Sequence, residues 1–288
     1  MNNTALILVN TGCNNRCLIC MREEIKSLPV RSLDDIKAKI KEVKEQGYAN
    51  LSLSGGEASI RPDILEIIRF AESLGFDKIT LKTNGRRLSA RDFAEALSKI
   101  KNFEIIFSMN GHTAPIHESV TGVEGSFKET VKGMMNAKEF GIPAKVNVVV
   151  CRPNYQHLSE LADFLVGMGI FDMQFCFIHP SGEAMNHLEE MVPKIEDTSP
   201  YLNAVLAKNE SSAEKTGQSV HALRSIAYPF CLLEEKNRKY AIEHTGDESE
   251  TFSKTKLGEC RGCRYLSVCP GIWSSYARLY GFVPKPVK

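Results

Sequence analysis

The chain has 288 residues, 43% of them hydrophobic and 25% charged, which is enough to bury a barrel-sized core with a small appendage. A formal net charge of +1 supplies no global field for a polyanion, so nothing in the composition points to a nucleic-acid partner. The apolar run Ala5 to Val9 is too short to span a membrane and has no basic segment ahead of it, so a cytoplasmic protein free of membranes is expected.

That run reads as the first strand. Behind it comes Cys13-Asn-Asn-Arg-Cys17-Leu-Ile-Cys20, three thiols in a C-x3-C-x2-C spacing with no fourth cysteine before Cys151. Ser32 then caps a helix with acidic residues in its first turn and Ile36, Ile40 and Val43 on one face, stopped at Gly47. Leu51 to Ser54 is a short strand ending at Gly55-Gly56-Glu57. Arg61-Pro62-Asp63 opens a helix with proline in its first turn, and Lys78 to Lys82 is a strand ending at Thr83-Asn84-Gly85. A third helix is expected from Ser89 as its cap. The alternation continues with a strand at Phe103 to Met109, the loop His117 to Phe127, a helix from Ser126 to Phe140, a strand at Ala144 to Val150, a helix at His157 to Gly167 and a strand at Asp172 to Ile178.

Six strand-helix alternations call for a parallel sheet with right-handed crossovers, and the special loops all fall after strands, where such folds keep their sites. From Glu183 to Ser219 the chain is charge-rich, and Pro193 and Pro200 are expected to break it into a linker with one helix near Tyr201 to Asn209. Beyond it, Cys260-Arg-Gly-Cys263 and Cys269 form a C-x2-C-x5-C cluster that Cys231 completes to four. Lys239 to His244 is expected to belong to a connecting hairpin, and Cys151 and Cys176 to sit in strand cores. His179, ending the sixth strand, reads as a satisfied loop histidine before a base.

Thiolates are soft ligands selecting zinc, copper(I) or iron-sulfur clusters. Nine cysteines in a reducing compartment read in part as metal ligands instead of a disulfide framework. Three thiols fall one short of a closed protein site, so Cys13, Cys17 and Cys20 fit a cluster with one iron left open, half of a zinc site, or plain buried packing. The four downstream thiols suit either a structural zinc or a closed [4Fe-4S] cluster.

The first run resembles the signature of the radical S-adenosylmethionine (radical SAM) superfamily. The resemblance implies an α/β fold, a partial (β/α)6 TIM-like barrel, with a [4Fe-4S] cluster on Cys13, Cys17 and Cys20 whose open iron takes SAM. It further implies that Gly55, Gly56 and Glu57 hold the methionyl end of SAM, with Ser108 and Asn110 as further SAM-binding residues. The chemistry implied is reductive cleavage of SAM to a 5′-deoxyadenosyl radical that abstracts a hydrogen atom, fed by an electron donor such as flavodoxin or ferredoxin. Ile19 stands where the family commonly has an aromatic residue, and Asn110 where it often has Asp.

The downstream cysteines resemble the SPASM and twitch extensions behind such cores. They imply an auxiliary [4Fe-4S] cluster on Cys231, Cys260, Cys263 and Cys269, with Trp273 where a further SPASM cysteine would stand. The expected organisation is a core over 1–182, a connection over 183–230 and an auxiliary-cluster region over 231–288. Oxidation or rearrangement of a small molecule is the expected reaction, with peptide modification as the alternative. An electron carrier or zinc-stabilised binding module is the reading from another class.

Overall fold

The computed structural model describes residues 3–20, 28–216, 222–241 and 254–288. Seven strands form one sheet whose order follows the sequence: β1 (Thr4–Asn10), β2 (Asn50–Gly55), β3 (Lys78–Thr83), β4 (Phe103–Ser108), β5 (Ala144–Val150), β6 (Asp172–Phe177) and β7 (Ala222–Ile226). Between them run α1 (Leu33–Glu45), α2 (Ile64–Ser73), α3 (Arg91–Ser98), α4 (Ala114–Thr121), α5 (Ser126–Glu139), α6 (Leu158–Gly167), α7 (Leu188–Met191) and α8 (Ile195–Thr216). Strand order equal to chain order, with helical crossovers and parallel pairing, is the wiring of a partial barrel. The expected fold class holds, with a seventh strand added to the six expected.

The chain divides into two compact units, residues 1–109 with 113–146, and 110–112 with 147–288. In the first, β1 to β4 pair in parallel, and Ile7, Leu51, Leu53, Ile79, Leu81 and Ile105 are buried along them. Ser32 caps α1 as expected: its hydroxyl accepts from Asp35 N at 3.1 Å, and its own N–H donates to Asp35 Oδ2 at 3.2 Å, a closed capping box.

Three local expectations need correction in this unit. Pro62 lies ahead of α2 instead of inside its first turn, because Asp63 takes the cap position and its carboxylate pairs with Arg61 at 2.5 and 2.9 Å. Ser89 does not cap α3; it ends a 3-10 turn, and Ala90 occupies the cap position. The first part of the loop expected over His117 to Phe127 is helical instead, as the end of α4. Pro115 in its first turn favours the start, and Gly122, at φ 67°, stops it.

In the second unit β6 pairs in parallel with β7. The stretch expected as a broken linker holds one 22-residue helix, α8, with Pro200 inside it. Proline at the sixth helical residue removes one backbone bond in the second turn. Burial of Ile195, Leu202, Val205 and Leu206 along one face offsets that loss. Near the C-terminus β8 (Lys254–Thr255) and β9 (Ile272–Trp273) pair antiparallel, followed by α9 (Ser274–Tyr280). Lys239 and Tyr240 end a 3-10 helix instead of opening a hairpin, and residues 242–244 of that expectation lie outside the described residues.

Candidate functional site: three strand-end loops and a four-thiol cavity

The first site is built where β1, β2 and β3 end. The loop after β1 carries the half-buried Cys13, Cys17 and Cys20. Its backbone is pinned to α4, since Arg16 N donates to Thr121 O at 2.9 Å and Leu18 N to Val120 O at 3.0 Å. A residue at 122 with a side chain would drive its Cβ to 2.6 Å from Arg16 O, so glycine there lets α4 end against the cysteine loop.

Gly55 and Gly56 hold the same loop from the β2 side. A Cβ on Gly55, at φ 142°, would lie 2.1 Å from Asn10 O, and one on Gly56 would lie 2.4 Å from Gly12 O. Gly56 N donates to Asn10 O at 2.7 Å and Glu57 N to Gly12 O at 2.8 Å, closing the crossing. Lack of side chains at 55 and 56 is therefore required by the neighbouring backbone in its own right.

Glu57 is buried, and its carboxylate is engaged by protein donors. Oε1 accepts from Ser59 N at 2.9 Å and Thr83 Oγ1 at 2.6 Å, while Oε2 accepts from Asn84 N at 2.6 Å. The Thr-Asn-Gly loop after β3 then reaches the cysteine loop, where Asn84 Nδ2 donates to Asn14 Oδ1 at 2.7 Å. Thr83 and Asn84 thus take the turn and bracing roles that their residue types suggest. One residue that the sequence reading missed joins them: Arg86, whose Nε pairs with Glu129 Oε2 at 2.5 Å and whose Nη1 donates to Asn14 O and to Asn15 Oδ1.

Burial pushes the Cys17 thiol up to about 12, and the neighbouring Cys20 and Cys13 push it the same way. A metal bound there would deprotonate its thiols outright. The donor set, soft and short of one ligand, fits a cluster with an open iron. Ser108 is exposed at the end of β4 in the same unit. Asn110 belongs to the second unit, where its Oδ1 accepts from Val149 N at 3.1 Å and its carbonyl accepts from Asn154 Nδ2 at 3.0 Å.

The second site lies wholly in the second unit. Cys231, Cys260, Cys263 and Cys269, scattered over 39 positions of sequence, line one pocket together with apolar Phe230 and Leu257. Phe230 N donates to Cys269 Sγ at 3.4 Å. Desolvation raises the thiols of Cys231 and Cys260 above their ordinary value, with other cysteines of the set adding to the rise. Among the described residues no three His, Cys, Asp or Glu side chains close on a single metal ion. The four thiols frame a space.

Cys151 is fully buried behind β5, and Cys176 is half-buried in β6. All nine cysteines are free. His179 shares a 2.8 Å hydrogen bond with Ser181 Oγ, in line with a satisfied loop histidine, and its ring lies 4.5 Å from that of Trp273. Trp273 is buried, with its indole N–H donating to Phe177 O at 3.0 Å. Among the described residues no helix is long and apolar enough to cross a membrane.

The profile described as Radical SAM superfamily matches residues 7–165. An AdoMet-dependent heme synthase of Methanosarcina barkeri is 29% identical over 176 residues, 60% of this chain and 50% of that protein. A probable GTP 3′,8-cyclase of Saccharolobus solfataricus is 27% identical over 200 residues, 66% of this chain and 64% of that one. The chain thus spans between half and just under two thirds of these relatives. Among solved structures, Streptococcus suis SuiB bound to precursor peptide SuiA aligns with a TM-score of 0.60 at 19% identity, covering 77% of this chain and 48% of SuiB.

Proposed function

The chain belongs to the radical SAM superfamily, and from that premise we propose that it cleaves SAM reductively and uses the resulting 5′-deoxyadenosyl radical to take a hydrogen atom from a small molecule. Cys13, Cys17 and Cys20 would hold the [4Fe-4S] cluster. Bound there, the cluster supplies the one electron that breaks the S–C5′ bond of SAM. Gly55, Gly56 and Glu57 would border the methionyl end, with Ser108 and Asn110 as further cofactor contacts. The Glu57 carboxylate, held by three protein donors, has a positioning share in that task.

The observation that carries this reading is the continuous hydrogen-bonded path from Glu57 through Asn84 to Asn14, which ties three strand-end motifs into one frame around the thiol loop. An isolated zinc knuckle would have no use for such a frame. The sequence relatives are named for enzymes, which sets aside the electron-carrier and zinc-module readings.

Cys231, Cys260, Cys263 and Cys269 would hold an auxiliary [4Fe-4S] cluster in their cavity. Four protein ligands leave no open iron, which suits accepting the electron that a substrate radical gives up on oxidation. The relatives at 27–29% identity are named for heme and GTP chemistry, which favours a small or nucleotide-derived substrate. The likeness to a peptide-bound enzyme is at 19% identity and speaks for the fold. Nine free cysteines suit a reducing cytoplasm and a donor such as flavodoxin or ferredoxin.

Anaerobic reconstitution tests the reading. Two clusters give about eight irons per chain, and dithionite with SAM yields 5′-deoxyadenosine. Zinc without SAM binding, or a Cys13→Ala variant that keeps all its iron and still forms 5′-deoxyadenosine, would overturn it.

A further inference from the structure

Asn14 and Asn15 share a peptide group that has a guanidinium on one side and a thiol on the other. Arg86 Nη1 donates to the Asn14 carbonyl, and the Asn15 N–H of that same peptide donates to Cys13 Sγ at 3.3 Å. Arg86 Nη1 also donates to Asn15 Oδ1 at 2.8 Å, so the guanidinium grips both the peptide and the side chain next to the thiol loop. One cation therefore acts on the Cys13 thiol through the amide between them. Asn15 is buried, and the Arg86 side chain is only 14% exposed, so water screens little of this.

A carbonyl that accepts from a cation draws electron density across its amide and makes the N–H at the other end a stronger donor. Hydrogen bonds to cluster sulfurs and nearby positive charge both favour the reduced, more negative cluster, and so raise its potential. Glu129, which pairs with Arg86 on the far side, takes back part of that charge.

We propose that Arg86 is a positioning residue that raises the reduction potential of the cluster held by Cys13, Cys17 and Cys20, acting through the Asn14–Asn15 peptide. The inference rests on reading that run as the cluster site. It makes Glu129 the opposing member of the pair.

The test is a redox titration of the reconstituted full chain, without substrate, followed by electron paramagnetic resonance. The first cluster is identified by the change that SAM makes in its signal. Arg86→Gln should lower the ratio of reduced to oxidised cluster at the wild-type midpoint about tenfold, which is 59 mV for one electron. Arg86→Lys should fall between, since it keeps the charge without the fork. Glu129→Gln should shift the midpoint the opposite way.

A brace without electronic effect predicts that Arg86→Gln and Glu129→Gln both shed iron, or move the midpoint in one direction. Either of those results, or an unmoved midpoint in an iron-replete Arg86→Gln, overturns the proposal. If Arg86→Gln does not hold iron, Glu129→Gln decides alone, and a midpoint that fails to rise sinks it. A wild-type chain whose iron never responds to SAM would instead overturn the functional reading beneath.

Discussion

The Thr83 hydroxyl donates to Glu57 Oε1 across 2.6 Å, and both residues are buried. The contact joins the end of β3 to the end of β2, and Asn84 N on the other carboxylate oxygen makes it two-sided. Glu57→Gln replaces one acceptor oxygen with an amide that faces a donor. A buried donor left unpaired costs about 1–3 kcal/mol. Urea unfolding of the metal-free chain should show a loss in that range for Glu57→Gln, with a smaller loss for Thr83→Val. Equal stability for Glu57→Gln would mean that the latch contributes nothing.

The glycine pair gives a sharper expectation. Alanine at 55 meets Asn10 O and alanine at 56 meets Gly12 O, in each case backbone that belongs to the start of the thiol loop. Overpacking costs about 1–3 kcal/mol even where side chains can give way, and here the obstacles are main chain. Gly55→Ala and Gly56→Ala should each lose stability by at least that amount and bind less iron. A Gly75→Ala control, with nothing within 4 Å of its Cβ, should keep its iron. Full iron in Gly56→Ala would show that the crossing accommodates a side chain.

Much of this was readable in the chain. The Ser32 box, the strand ends and the thiol spacing are local patterns, and local patterns survive folding. α8 was hidden because Pro200 signals a break, while the burial that overrides it comes from tertiary packing. β7 was hidden because only five residues make it, with Ser225 buried beside Leu223 and Ile226 and with Arg224 paired to Asp172 across β6. Arg86 could not be seen at all. Its partners lie 71 and 72 positions back and 43 ahead, and an arginine after Thr-Asn-Gly looks like ordinary surface. The four downstream thiols were legible as a set, whereas the shape of their cavity was not.

A pH dependence follows from His117 in α4. Burial holds it well below the ordinary histidine value, at about 4. The unfolded chain then binds a proton below about 6.5 that the native chain refuses until about 4, so stability falls as pH drops across that window. At 1.36 kcal/mol for each pKa unit, the full window is worth about 3 kcal/mol. Carboxylates such as Glu104, held low by Lys145 and Thr80 against a desolvation that opposes them, add their loss only at lower pH. Chemical unfolding at pH 7 and pH 5 should show the decline, and His117→Phe should flatten it. An unchanged slope in that variant would assign the decline elsewhere.

Removing metal from the second site separates it from the first. Cys260 and Cys263 lie on a short 3-10 turn and at its end, lining the pocket with Leu257, and the backbone around them holds itself through Cys263 N to Cys260 O at 3.0 Å. Replacing both with alanine takes two of four ligands and leaves that turn intact. A four-ligand cluster does not survive the loss, so iron and sulfide should fall by about half while the signal that responds to SAM remains. Stability should fall as well, since metal binding free energy at such a site is folding free energy. The measurement is iron, zinc and sulfide per chain in wild type and variant, prepared anaerobically side by side. Loss of zinc with no loss of sulfide would make the second site structural. Undiminished iron would place the second cluster somewhere other than these four thiols.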